Sequence, residues 1–173
     1  MTSSPRLLIR AAGLAGAAAL AAAAPAAGQP GFGTGPVSVS APASTPQVEL
    51  RSATVAMGPT YDRVVFTFAG PPPRVRARYV GRLVEDGSGR VVRIPGRAFL
   101  ELVFEPARAH DDRTGRPGCA PRAQSPTMPM LRHVRLVGDF EGQVTYGLGL
   151  SARTPYRVMR APSRRAVIVD VRR

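Results

Sequence analysis

The sequence predicts an all-β fold, an antiparallel β-sandwich, on three observations. From Val48 onward, about eight or nine short runs alternate apolar and polar residues with period two, as strands with one buried face do. No stretch of that region sustains a 3.6-residue apolar period with helix caps. Turn residues interrupt the runs at short intervals, which suits hairpin-linked strands in two packed layers rather than strands joined by crossover helices.

Residues 1–27 read as an export signal. Arg6 and Arg10 form a positive n-region, residues 11–24 are small and apolar, and Ala24-Pro25-Ala26 or the following Ala27 offers a small-residue cleavage site. A membrane span needs roughly 20 strongly apolar residues, and this stretch is too short and too rich in alanine. The mature chain is therefore expected to carry no transmembrane segment, and to be secreted or held at the cell envelope. Residues 28–47 are mostly Gly, Pro, Ser, Ala and Thr with isolated valines and one phenylalanine. They bury too little apolar surface to order themselves and are expected to be a flexible spacer before a domain spanning 48–173.

The strands follow in order. Residues 48–51 open the first run, and 61–68 set Val64, Phe66 and Phe68 on one face against Val65 and Thr67. Residues 74–80 alternate Val75, Ala77 and Tyr79 with Arg74, Arg76 and Arg78. Asp86-Gly87-Ser88-Gly89 makes a hairpin-like break before 91–94. Residues 98–105 place Leu100, Leu102 and Phe104 opposite Phe99, Glu101, Val103 and Glu105. A polar, proline-rich loop covers 106–129, and further strands are expected at 133–137, 143–150, 156–160 and 166–171, with 138–142 as a turn. Within 143–150, Gly147 and Gly149 leave one face nearly bare while the other is large and apolar.

Composition bounds the partners. All 24 basic residues are arginine, against 11 acidic residues. Removing 1–27 takes two arginines and no acids, so the mature chain keeps a formal charge of +11. Such a charge favours anionic surfaces. Outside a cell these are phosphate-bearing wall polymers, acidic glycans and lipid headgroups, whereas an exported protein meets little nucleic acid. Cys119 is the sole cysteine and sits in a Pro/Gly loop, so no internal disulfide forms and the fold rests on its apolar core.

Several pieces in this order resemble one family. They include Tyr61-Asp62-Arg63-Val64-Val65-Phe66, Arg78-Tyr79-Val80, Leu83-Val84-Glu85-Asp86-Gly87-Ser88-Gly89 and Gly96-Arg97-Ala98-Phe99-Leu100-Glu101. Phe104-Glu105-Pro106-Ala107-Arg108-Ala109-His110-Asp111, Gly138-Asp139-Phe140-Glu141-Gly142, Thr145-Tyr146-Gly147-Leu148-Gly149-Leu150 and Pro155-Tyr156-Arg157-Val158 complete the set. From Val48 to the C-terminus the chain is similar to the AMIN-like domain of exported actinobacterial proteins. The resemblance implies a compact β-sandwich and a non-catalytic role at the envelope, in the manner of AMIN domains that target peptidoglycan. Residues 161–165 depart from it, with Ala161-Pro162-Ser163-Arg164-Arg165 where a Pro-Pro-Arg turn is usual.

No enzyme is expected, and no cofactor. The chain lacks a Gly-x-Ser-x-Gly nucleophile motif and a Walker loop, and Gly31-Phe32-Gly33-Thr34-Gly35 belongs to the spacer. Glu101 and Glu105 share a face about 13 Å apart, beyond the ~5–9.5 Å of a glycosidase pair, and read as partners for arginines on a neighbouring strand. A metal-dependent wall hydrolase would have to use His110, Asp111 and Asp112, with or without help from Glu105; a solvated turn explains the same residues, and no metal is expected. His133 reads as an ordinary surface histidine. The best binding candidates are the stripe Arg74, Arg76 and Arg78, spaced about 6.6 Å along a strand with forks that suit phosphate and carboxylate, and the bare face of Gly147 and Gly149 beside Tyr146. The partner is expected to be a cell-wall polymer or, with the glycine-faced strand as a docking edge, another exported protein.

Overall fold

The computed structural model describes residues 30–111, 113–118 and 120–173. The expected export signal and two residues singled out above, Asp112 and Cys119, lie outside them. Among the described residues, thirteen strands form two main sheets and a small hairpin, with a 3-10 turn at Pro162–Arg164 in place of any α-helix. Among the described residues no helix is long and apolar enough to cross a membrane.

The first sheet has the order β1-β4-β7-β11-β10-β9, from β1 (Val37–Val39), β4 (Arg74–Val80), β7 (Ala98–Glu105), β11 (Gln143–Leu150), β10 (Leu131–Phe140) and β9 (Ala123–Gln124). The second has the order β12-β13-β3-β2-β8, from β12 (Tyr156–Ala161), β13 (Ala166–Arg172), β3 (Tyr61–Phe68), β2 (Val48–Met57) and β8 (Ala107–Arg108). Pairing within these sheets is antiparallel except between β2 and β8. The two-stranded hairpin of β5 (Leu83–Val84) and β6 (Val91–Val92) lies apart from both.

Alternation decides what is buried. Val64, Phe66 and Phe68 of β3 meet Leu100, Leu102 and Phe104 of β7 and Val144, Tyr146, Leu148 and Leu150 of β11 in one core. Phe66 packs on Phe104 with centroids 4.8 Å apart and edge-on to Tyr146 at 5.1 Å. Each such side chain contributes about 1.5–3 kcal/mol by leaving water. Asp62 begins the same inward row. It is fully buried, and its Oδ2 accepts the backbone N–H groups of Met130 and Leu131 at 2.7 and 2.9 Å, which anchors the loop entering β10. The β10–β11 hairpin turns through Glu141 (φ 48°) and Gly142 (φ 78°), the two left-handed positions that match strand twist.

The stretch expected to be a flexible spacer differs from that expectation. Val37–Val39 pair with Val75–Ala77 on the edge of β4 as β1, and Gly33 exchanges backbone hydrogen bonds with Tyr156 of β12 at 3.0 and 2.8 Å. One strap therefore spans the edges of both sheets. The Tyr156 hydroxyl fixes it by donating toward Gly35 O (2.7 Å) and Ala77 O (2.9 Å). Phe32 lies under the guanidinium groups of Arg157 and Arg172, 4.6 and 4.9 Å from its centroid. Composition misses this because the partners are backbone edges and arginines supplied by the distant domain, not apolar residues within the segment.

Candidate anion-binding surface

On β4 the alternation sends Val75 and Ala77 into the core and Arg74, Arg76 and Arg78 into solvent. Antiparallel register sets Arg74 opposite Glu105 and Arg78 opposite Glu101 on β7. Arg74 Nη2 reaches Glu105 Oε2 at 2.6 Å and Arg78 Nε reaches Glu101 Oε2 at 2.9 Å, while Arg76 stands 3.8 Å from Glu105. Exposed pairs of this kind contribute about 0–1 kcal/mol. Three guanidinium groups thus share two carboxylates, and Arg76 is the least neutralised. A shallow cleft of about 340 Å³ lies here, between β1 and the Arg76–Arg78 stretch.

The second candidate face is occupied by the protein itself. A Cβ on Gly147 would collide with the methyl groups of Leu83, and one on Gly149 with the carbonyl oxygen of Pro95. Gly96 (φ 144°) completes the contact, since a Cβ there would meet Gly149 Cα at 2.9 Å. The segment carrying β5 and β6 folds back as a flap whose Leu83 and Ile94 join Val137 in a separate small core. The glycines admit this flap, not an external ligand. Tyr146 points the other way, into the main core, where its hydroxyl donates to Pro121 O at 2.9 Å and burial raises its pKa. The structure does align the two candidates: Arg78, Glu101, Gly147 and Arg135 form one row across β4, β7, β11 and β10.

Of the residues required for a hydrolase, His110, Asp111 and Glu105 lie among the described ones and are engaged separately. His110 Nδ1 lies 2.7 Å from Asp139 Oδ2. Asp111 Oδ1 accepts from the backbone N–H and hydroxyl of Thr114 and the N–H of Arg113, which hold its carboxyl below the usual range. Glu105 faces Arg74. Among the described residues no group of three His, Cys, Asp or Glu side chains is placed to hold a metal ion. His133 Nδ1 is 2.8 Å from Ser125 Oγ, and partial burial together with Arg135 lowers its pKa.

Two clefts along β10 escaped the sequence reading. One, of about 540 Å³, is lined by Glu85, Asp86, His110, Arg122, Arg135 and Asp139 among others. A smaller one of about 390 Å³ is formed by Gly96, Arg97, Arg132 and Ser151. The signal that could have found them is the apolar spacing Leu131, Val134, Val137. Leu131 and Val134 both face the main core whereas Val137 joins the flap core, so the first interval of three breaks strand alternation and marks one of the two bulges of β10, at Leu131/His133 and Leu136/Gly138.

No curated protein and no solved structure matches the chain. A family model, that of the AMIN-like domain, matches residues 48–173, the region that builds every strand but β1. The sandwich and this match, which covers most of the sequence, together place the chain in the AMIN-like domain family.

Proposed function

We propose that this protein is an exported, non-catalytic binding domain that associates with anionic polymers of the cell envelope through its arginine-rich surface. AMIN-like domains are in general non-catalytic, cell-wall-associated domains of extracytoplasmic proteins. The observation that carries the finer reading is a surplus of guanidinium groups. Most carboxylates among the described residues are engaged by arginine: Glu49 with Arg51, Asp62 with Arg173, Glu85 with Arg90, Glu101 with Arg78, Glu105 with Arg74, and Asp170 with Arg63 and Arg157. Arg82, Arg93, Arg97, Arg122, Arg132 and Arg135 make no direct ion pair among the described residues, and of these Arg135 shares the field of Glu85. Arginine keeps its charge at any physiological pH and presents a fork that fits phosphate or carboxylate. The stripe of Arg74, Arg76 and Arg78 adds a partly neutralised contribution.

The test is sedimentation of the full chain with isolated cell walls. Binding at low ionic strength that is released as salt is raised supports the reading, because screening shortens to about 8 Å near physiological salt. Absence of the chain from the wall pellet at both ionic strengths removes it.

A further inference from the structure

Resting on that reading, we propose that β10 is the track along which the polymer lies, and that its ligand is an anionic polymer bearing hydroxyl groups, with negative charges repeating at roughly 10 Å or a fraction of it. The argument starts from the bulge. Arg132 and Arg135 are three residues apart, a separation that puts side chains on opposite faces of a regular strand. Here Leu131 pairs with Leu150 and His133 with Gly149, so Arg132 is the extra residue of the bulge. Leu131 and Val134 both turn into the core, and Arg132 and Arg135 both emerge exposed on the outer side. The bulge converts an alternating pair into two cations on one face, about 10 Å apart along the strand.

Each cation is then joined by a second from another segment. Arg97, at the end of the flap, shares the smaller cleft with Arg132. Arg122, just before β9, shares the larger cleft with Arg135. None of the four makes a direct ion pair or donates its guanidinium to an acceptor among the described residues, in contrast to Arg74 and Arg78 on β4, although Arg135 lies near enough to Glu85 for its charge to help lower that carboxyl. Two guanidinium forks converging on one cleft suit one phosphate or carboxylate group, and the arrangement occurs twice in succession.

The remaining lining selects among anions. The larger cleft also holds carboxylates, each with an internal partner: Glu85 with Ser88 and Arg90, Asp86 with Thr145 Oγ1 at 2.6 Å, and Asp139 with His110. Their remaining lone pairs accept hydroxyl hydrogens and repel a ligand that is anionic throughout. Exposed Phe140 adds an apolar wall on which a sugar or polyol backbone can rest. A glycan carrying carboxylates and a polyol phosphodiester share this chemistry; inorganic polyphosphate, which lacks hydroxyl groups, does not.

The test uses the full chain, titrated by fluorescence anisotropy with labelled polygalacturonate, poly(glycerol phosphate) and polyphosphate at matched ionic strength. Binding to either hydroxyl-bearing polymer at least about tenfold tighter than to polyphosphate is expected, and the stronger of the two identifies the source. The variant R97Q/R122Q/R132Q/R135Q should lose about tenfold or more, each cleft pair changed alone should lose an intermediate amount, and R74Q/R76Q/R78Q should lose about threefold or less. All these positions are exposed, and thermal melts confirm that the variants remain folded. If the β4 triple loses as much as the β10 set, or the β10 set matches the unaltered chain, the track is wrong while wall association stands. Tighter binding to polyphosphate overturns the hydroxyl requirement. A chain that sediments with no wall preparation overturns the underlying reading itself.

Discussion

Adding one methyl group at Gly149 should detach or strain the flap. Gly149 lies in β11 with no left-handed backbone, so alanine is conformationally acceptable there. In the absence of a neighbour the change would stabilise the strand by about 0.5–1 kcal/mol, because glycine loses more backbone entropy on folding. The obstacle is the carbonyl oxygen of Pro95, a backbone atom that cannot rotate away. Either Pro95 and β11 shift, at about 1–3 kcal/mol for overpacking, or the flap lifts and Leu83 and Ile94 lose their burial, at about 1.5–3 kcal/mol each. The cheaper route dominates and the strand gain offsets part of it, so Gly149→Ala should cost about 1–2 kcal/mol and lower Tm by about 3–8 °C for a domain of this size. Gly147→Ala is the internal control, since it meets side chains and no backbone, the methyl groups of Leu83 and Val137 Cγ2 at 3.1 Å, and should cost less, about 0.5 kcal/mol. Thermal melts followed by circular dichroism measure both. A Gly149→Ala chain as stable as the unaltered one, or more stable than Gly147→Ala, would refute the assignment of the glycines to flap packing.

Two further outcomes follow from buried polar groups. Asp170 is fully buried on β13 and held by Arg63 (2.6 and 2.9 Å) and Arg157 (2.8 Å), so Asp170→Ala leaves two arginines facing each other and should cost about 3 kcal/mol or more; a Tm unchanged within error would show that the cluster adds nothing. Burial pushes Tyr156 up to about 12 and raises Tyr79 and Tyr146, so the folded state holds its phenol protons above the ordinary value of 10.0. That stability is complete below about pH 10 and is lost as pH rises from there through 12, because the unfolded chain ionises first. The absence of lysine keeps the window clear of ammonium groups, and melts at pH 9 and 11.5 should differ by several degrees, with the phenolate absorbance of Tyr79, Tyr146 and Tyr156 appearing together with unfolding; these three titrating near 10 in the folded protein would contradict it.

Period-two alternation made the layered plan legible. Residues 61–68, 98–105 and 143–150 became β3, β7 and β11 with the expected residues inward, and Glu101 and Glu105 met the arginines of the adjacent strand. The features that read poorly are non-local or irregular. β10 was expected at 133–137 and runs from Leu131 to Phe140, because bulges interrupt the alternation that defines a strand in sequence. Bare glycines announce a close approach but not what approaches, and the flap that fills the space comes from more than fifty positions upstream of Gly149. The β4 stripe was legible as a cationic face, whereas the pairing of Arg132 with Arg97 and of Arg135 with Arg122 needs the tertiary fold.

The strap ahead of Val48 has a practical corollary for how this protein is cut and handled. The region recognisable as the family's domain starts at residue 48, yet the hydrogen bonds that finish β4 and β12 come from residues 33–39. A fragment begun at the family boundary would bare the N–H and C=O groups of β4, an open invitation to strand addition by any neighbouring molecule. Such a fragment would stick to surfaces and to itself through its backbone, and its adhesion would be mistaken for recognition by arginine.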